Sequence, residues 1–225
     1  ETYKKLSVNP RSFDLSFADR YSIAIINFSK FSKLKKNIQK NLSRKFFFDG
    51  FLMNQMACNS PHVVLWIGKN QNNLVKDTFW NNLNEYAKLN FNLDSKMNID
   101  KIERLYSTLA SDKKIISKIK KLSNRVHILK LKKNIKNIEH LRGFAGIFFD
   151  HEINDLSDIK KFITKKCQTV VQYGFHDLEI KKEILKSNLL GIDRIVPFGK
   201  SLEFEINWDG YDVIRSLSRI INTKN

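Results

Sequence analysis

Residues 21–67 read YSIAIINFSKFSKLKKNIQKNLSRKFFFDGFLMNQMACNSPHVVLWI, and the class of fold is decided within this stretch. Tyr21 to Asn27 is an apolar run of strand length. From Ser29 to Leu42 the residues Phe31, Leu34, Ile38 and Leu42 recur at intervals of three and four with lysines between them, which is one apolar stripe of an amphipathic helix. A second helical stretch is predicted over Phe46 to Met56. It must end before Pro61, because proline disfavours helix at the residue preceding it, here Ser60. His62 to Ile67 then reads as a buried strand. Strands alternating with helices in this way imply crossovers between parallel strands.

The alternation continues outward. Asn72 to Leu89 carries Leu74, Val75, Phe79, Leu83, Tyr86 and Ala87 on one face and is predicted helical, as is Ile99 to Leu109. Arg125 to Leu131 reads as an edge-like strand and Gly143 to Phe149 as another strand. A short helix over Leu156 to Ile163 precedes a strand over Thr169 to Tyr173, closed by Gly174. A helix over Leu178 to Leu190 is closed by Gly191, Arg194 to Phe198 is the last core strand, and Tyr211 to Ile221 the last helix. The expectation is an α/β protein, a three-layer, mostly parallel sheet flanked by helices, with residues 1–225 as one domain. Eight glycines and three prolines leave no flexible linker, and no repeat is present.

Composition narrows the function. Hydrophobic residues at 42% and aromatics at 12% exclude a disordered chain. No window approaches the roughly 18 uninterrupted apolar residues of a membrane span. Cys58 and Cys167 lie 109 positions apart, against a disulfide framework or a cysteine-rich zinc site, and a reducing cytoplasm fits best. Forty Lys plus Arg against 23 Asp plus Glu leave +17, which asks for an anionic partner: nucleic acid, a membrane surface or a phosphate-bearing small molecule. From Lys113 to Lys136 ten residues are basic and none acidic. Such blocks are usually solvated faces, and without the aromatic interleaving of RNA readers this one disfavours nucleic acid. There is no Gly-x-Gly-x-x-Gly, no Walker loop and no His-Glu-x-x-His, so a dinucleotide is not held here by a glycine fingerprint. Because the chain opens at Glu1, it is expected to be a processed or excised piece.

Cys58 lies where a helix pattern stops and a strand begins. Its residue type at that place suits either a small buried hydrophobe or an accessible nucleophile, since only a thiolate attacks strongly. Cys167, preceded by two lysines, leaves the same two readings open. His62, four residues from Cys58, is a candidate base.

Phe48-Asp49-Gly50-Phe51-Leu52-Met53-Asn54-Gln55-Met56-Ala57-Cys58-Asn59-Ser60-Pro61 resembles the nucleophile segment of the acyl-CoA reductase family, of the fatty-acyl-CoA reductase type of bacterial bioluminescence. The family pattern is Asn-Gln followed by Cys-Ser-Ser-Pro, with Asn59 here in place of the first Ser. Phe17-Ala18-Asp19-Arg20-Tyr21-Ser22, Cys167-Gln168-Thr169 and Gly191-Ile192-Asp193-Arg194-Ile195-Val196-Pro197-Phe198-Gly199 resemble further family segments. So do Trp208-Asp209-Gly210-Tyr211-Asp212 and Leu217-Ser218-Arg219. The family is similar in turn to aldehyde dehydrogenases.

The resemblance implies a catalytic half that reduces an acyl-CoA thioester to the aldehyde. Cys58 forms the acyl-enzyme and NADP(H) supplies the hydride, bound mainly by a half expected upstream; no metal is implied. Asn54 and Asn59 become candidates for oxyanion contact or positioning. Asp19 and His62 are acid/base candidates, with Asp19 expected to pair with Arg20 beside it. Trp208, Asp209 and Tyr211, with Arg194, are candidates for the substrate pocket, and Cys167 is structural. An acyl-protein synthetase or acyl-transferase subunit, or a second copy, is the implied partner. Two other readings remain from the residues: a basic anion- or nucleic-acid-binding module, and a degenerate family member serving as a scaffold.

Overall fold

The computed structural model describes Ser7, Asn9 and residues 12–69, 71–135 and 137–223. Glu1 and Lys136, named above, lie outside the described residues. Contacts divide the chain into two units: residues 19–203, and the terminal segments 1–18 and 204–225.

The larger unit holds seven strands: β1 (Tyr21–Asn27), β2 (Pro61–Ile67), β3 (Ile116–Lys121), β4 (His127–Leu131), β5 (Ile147–Ile153), β6 (Cys167–Tyr173) and β7 (Arg194–Pro197). They form one sheet in the order β3-β4-β5-β2-β1-β6-β7. All neighbours are parallel except β3, which runs antiparallel to β4. The helices are α1 (Phe28–Ser32), α2 (Lys36–Gly50), α3 (Asn73–Asn90), α4 (Ser95–Asp112) and α5 (Asp177–Lys186).

The central strands are buried on both faces, and strand alternation sorts their side chains into two cores. Ala24, Ile26, Val64, Trp66 and Phe148 face a layer built from Phe31 of α1, Phe46 of α2 and Phe79, Trp80 and Leu83 of α3. Ile23, Ile25, Val63, Leu65 and Phe149 face the other layer, with Ile180 of α5 and with Ile159 and Phe162. The three-layer, mostly parallel α/β arrangement expected from sequence is therefore the one found. Among the described residues no helix is long and apolar enough to cross a membrane.

Several boundaries differ from the sequence reading. The predicted helices over 29–42 and 46–56 are instead α1 and α2, parted at Lys33-Leu34-Lys35. The break is stable because the Gln39 amide donates to the Phe31 carbonyl (3.1 Å), giving the end of α1 a partner. The strand expected over 143–149 begins only at Ile147, since Ala145 (φ 48°) and Gly146 (φ +91°) turn the chain first. It then runs through Asp150, His151 and Glu152, where Asp150 accepts from the Trp66 (3.1 Å) and Trp80 (2.8 Å) indoles. Lysine-rich β3, which has no apolar run to announce it, forms the sheet margin, and β4, expected at an edge, lies one strand in.

In the smaller unit, the predicted 211–221 helix is mostly absent. Asp209 (φ 54°) and Gly210 (φ +82°) form a left-handed two-residue turn, joining β8 (Asn207–Trp208) to β9 (Tyr211–Asp212), and only α6 (Val213–Leu217) is helical.

Candidate active site

Three neighbouring strands decide where the site lies. In the order β5-β2-β1 all run parallel, so the segments preceding them meet at one edge of the sheet. Those segments are Arg142–Gly146 before β5, Met53–Ser60 before β2, and Asp19–Arg20 before β1. They border an open cleft of about 180 Å³, lined by Cys58, His62, Asp19, Arg20, Arg142 and, from α4, Arg104. The Cys58 residue is exposed.

The turn that carries Cys58 is unusual backbone. After α2, Met53 (φ 56°), Asn54 (φ 55°) and Gln55 (φ 64°) are consecutive left-handed residues, and none is glycine. Such residues cost on the order of 1–3 kcal/mol each and persist where their surroundings over-determine them. Gln55 supplies much of that determination. Fully buried, its amide donates to the carbonyls of Ile147 (3.0 Å) and Pro61 (3.2 Å), and its oxygen accepts from the Gly146 N–H (3.1 Å). The Ala145 N–H donates to the Asn54 carbonyl (3.0 Å). A Cβ on Gly143 would lie 2.0 Å from the Ile147 carbonyl oxygen and 2.7 Å from Gln55 Nε2, so only glycine fits beside this staple. Further along, the Ser22 hydroxyl donates to the Cys58 carbonyl (2.7 Å) while accepting from the Thr169 N–H (3.1 Å), and the buried Asn59 amide donates to the Ser201 carbonyl.

Of the two asparagines, Asn59 spends an amide proton on Ser201, and Asn54 contributes a backbone carbonyl to the Ala145 bond. His62 is buried, and its Nδ1 accepts from the Gly143 N–H (3.0 Å), which assigns the ring proton to Nε2. Burial first, then the charges of Arg142 and Arg104, push its pKa down to about 3. The ring is therefore neutral, with its Nδ1 lone pair engaged by the Gly143 N–H.

The expected Asp19–Arg20 pair is replaced. Asp19, its side chain 74% exposed, pairs with Arg142 at 3.3 Å, and Arg20 pairs with Asp193 while donating to the carbonyls of Lys166 (3.2 Å) and Cys167 (3.0 Å). Cys167 is fully buried at the start of β6, and burial pushes its thiol well above the ordinary range. Trp208, Asp209 and Tyr211 belong to the smaller unit, in and beside its hairpin turn. Buried Arg194 donates to the carbonyls of Ser201 (2.9 Å) and Glu203 (2.7 Å).

Four residues around the site escape sequence reasoning: Gln55 as a staple, Arg104, Arg142 and Lys101. Lys101 is 1% exposed, and its ammonium donates to the carbonyls of Asn124 (2.8 Å), Arg125 (2.8 Å) and Ala145 (2.7 Å). It thus braces the loop that holds Asn54. Its mid-helix position gives no sign of this. Among the described residues no three His, Cys, Asp or Glu side chains are grouped to hold a metal ion.

No family model matches the chain, and no curated protein does. Solved structures do. The substrate-bound state of Staphylococcus aureus AldH is 15% identical with a TM-score of 0.50, the match covering 78% of this chain and 39% of that one. Lactaldehyde dehydrogenase of Escherichia coli is 11% identical with a TM-score of 0.50, covering 82% and 40%. The Δ-pyrroline-5-carboxylate dehydrogenase of Mycobacterium tuberculosis is 8% identical with a TM-score of 0.51, covering 84% and 36%. This chain thus spans about two fifths of the length of these three structures. Its mostly parallel seven-stranded sheet with flanking helices has the fold of the aldehyde dehydrogenase catalytic domain.

Proposed function

We propose that the chain is the thiol-bearing part of an oxidoreductase that converts an acyl thioester, such as an acyl-CoA, to the aldehyde through an acyl-enzyme on Cys58. The observation that carries this reading is the exposed Cys58 thiol, held at the rim of a cleft by a left-handed backbone segment stapled to two strand starts. Strain retained beside one exposed nucleophile is the pattern of a pre-organised site.

The chemistry assigned to this chain is acyl transfer. The Cys58 thiolate forms a bond to the thioester carbonyl carbon, the bond from that carbon to the departing sulfur breaks, and the departing thiolate takes up the proton that Cys58 released to solvent. A thiolate is a good leaving group, so the step needs no strong base, in keeping with a neutral His62. Arg104 and Arg142 line the same cleft and would stabilise the developing oxyanion. A nicotinamide nucleotide would supply the hydride, and the succinic semialdehyde dehydrogenase of Streptococcus pyogenes, a structure of similar fold, is described with NADP+ as its cofactor. The described residues hold no glycine-rich turn ahead of a helix, so the nucleotide would not be held here by that fingerprint. Incubation with an isotopically labelled acyl-CoA should place label on Cys58 by peptide mass spectrometry, and Cys58→Ala should abolish it. Label on Cys167, or none, would reject the proposal.

A further inference from the structure

The cleft beside Cys58 carries charge predominantly of one sign. Arg20, Arg104 and Arg142 line it, against the single carboxylate of Asp19. Arg20 is already engaged with Asp193 and two backbone carbonyls. Among the described residues Arg142 has one ion pair, the 3.3 Å contact with a largely solvated Asp19; its guanidinium also donates to the Glu139 carbonyl (2.5 Å) and is held over the Tyr21 ring (5.3 Å), leaving the rest of its donors for a ligand. Exposed Arg104 forms no ion pair among the described residues. His62, neutral, offsets none of this charge.

We propose that the acyl group transferred to Cys58 carries an anionic substituent near its reacting carbonyl, a carboxylate in chemical class, bound by Arg104 and Arg142. The inference rests on Cys58 being the nucleophile and specifies what it attacks. Planar guanidinium groups match a carboxylate with paired hydrogen bonds. At about 180 Å³ the cleft is also smaller than the roughly 300–1,000 Å³ of pockets that enclose extended ligands, so the bound anion lies close to the sulfur. A phosphate on the departing thiol offers the arginines the same chemistry, and the substrates compared below separate the two sources.

The first test uses two alkylating reagents of similar size. Iodoacetate and iodoacetamide both form a sulfur–carbon bond to Cys58 with loss of iodide, but only iodoacetate is anionic. The ratio of their rate constants at Cys58, read by peptide mass spectrometry, is divided by the ratio for glutathione. We expect a normalised ratio of about ten or more, falling severalfold in Arg104→Gln and at high salt, where the Debye length shrinks to about 3 Å. Arg104 is on an exposed helix face, so its variant keeps the fold; Arg142→Gln should act in the same direction. A normalised ratio near one, or one unmoved by both substitutions, overturns the anion inference while leaving Cys58 reactive. Failure of both reagents to alkylate native Cys58, with alkylation after unfolding, overturns the nucleophile reading and this inference with it. The second test acylates Cys58 with the succinyl and butyryl thioesters of N-acetylcysteamine, whose thiol has no phosphate. Faster succinyl transfer supports an acyl-borne carboxylate, and equal rates overturn it.

Discussion

Replacing Lys101 by Met should change how stability depends on pH, by an amount that follows from the burial of one ammonium group. Lys101 is 1% exposed, has three carbonyl acceptors and no carboxylate, and burial, with the charges of Lys121 and Arg125, lowers its pKa from 10.5 to about 7. The folded-state value is depressed, so between about pH 7 and the unfolded value the unfolded chain binds more protons than the folded one, and stability rises with pH. The slope approaches about 1.4 kcal/mol per pH unit, and integration from about pH 6.5 to about pH 9 gives about 2 to 3 kcal/mol. Above 9.0 the buried Cys167 thiol acts in the opposite sense, because its folded pKa is raised and stability is lost as the unfolded thiol ionises. Met cannot titrate, so the wild-type minus Lys101→Met difference in urea unfolding free energy isolates Lys101 from Cys167. That difference should grow in favour of the wild type by about 2 to 3 kcal/mol over this interval. The three carbonyls left unpaired in the variant add an offset that does not vary with pH. A difference flat with pH would refute the argument, showing that the carbonyl acceptors keep the ammonium charged in the fold.

Gln55→Ala removes partners from two buried carbonyls and one buried N–H and should cost roughly 2–5 kcal/mol in chemical denaturation. It should also slow Cys58 alkylation relative to free thiol in whatever protein remains folded. Gly143→Ala forces a methyl group against the Ile147 carbonyl oxygen, where backbone must move, and should lower the melting temperature in thermal unfolding by several degrees; an unchanged melting temperature would contradict this. Because the His62 ring titrates near pH 3, the rate of Cys58 alkylation should show no inflection attributable to histidine between about pH 5.5 and 7.5. Such an inflection, if lost in His62→Gln, would give His62 the role of base.

The elements legible in sequence were those whose burial is written in consecutive residues. Tyr21–Asn27 and Pro61–Ile67 are continuous apolar runs because parallel central strands are covered on both faces, and α3 carries a full apolar stripe. The strand β5 runs several residues past its apolar part because its second half is polar: Asp150 is buried beneath the indoles of Trp66 and Trp80, His151 is buried against Phe162, and half-buried Glu152 pairs with Lys76. Those partners come from distant segments. The Asp209-Gly210 hairpin is the reverse case: its dipeptide is a strong local turn signal, but a turn that opens a helix and one that joins two short strands look alike in sequence.

The site was half legible for the same reason. Cys58 declares itself by residue type and by its place between a helix and a strand, whereas Met53-Asn54-Gln55 contain no glycine to announce left-handed backbone. What stabilises that backbone comes from positions about ninety residues later, at Ala145, Gly146 and Ile147. The cleft exists because β5, β2 and β1 are neighbours running in one direction, so the order of strands in the sheet, and not their order in the chain, brings Arg142, Cys58 and Asp19 together. A register irregularity at Ser22 adds to this, since it falls where the Ser22 hydroxyl bridges the Cys58 carbonyl and the Thr169 N–H. Ligands of open parallel sheets usually gather at the carboxyl ends of the strands. Here the exposed thiol is at the amino ends, on loops tied down by buried polar side chains. Polar stapling is thus the structural counterpart of the reactivity proposed for Cys58: a turn entering the sheet from this edge has only a short path to a rigid strand, and Gln55, Ser22 and Asn59 each span it with one hydrogen-bonded side chain.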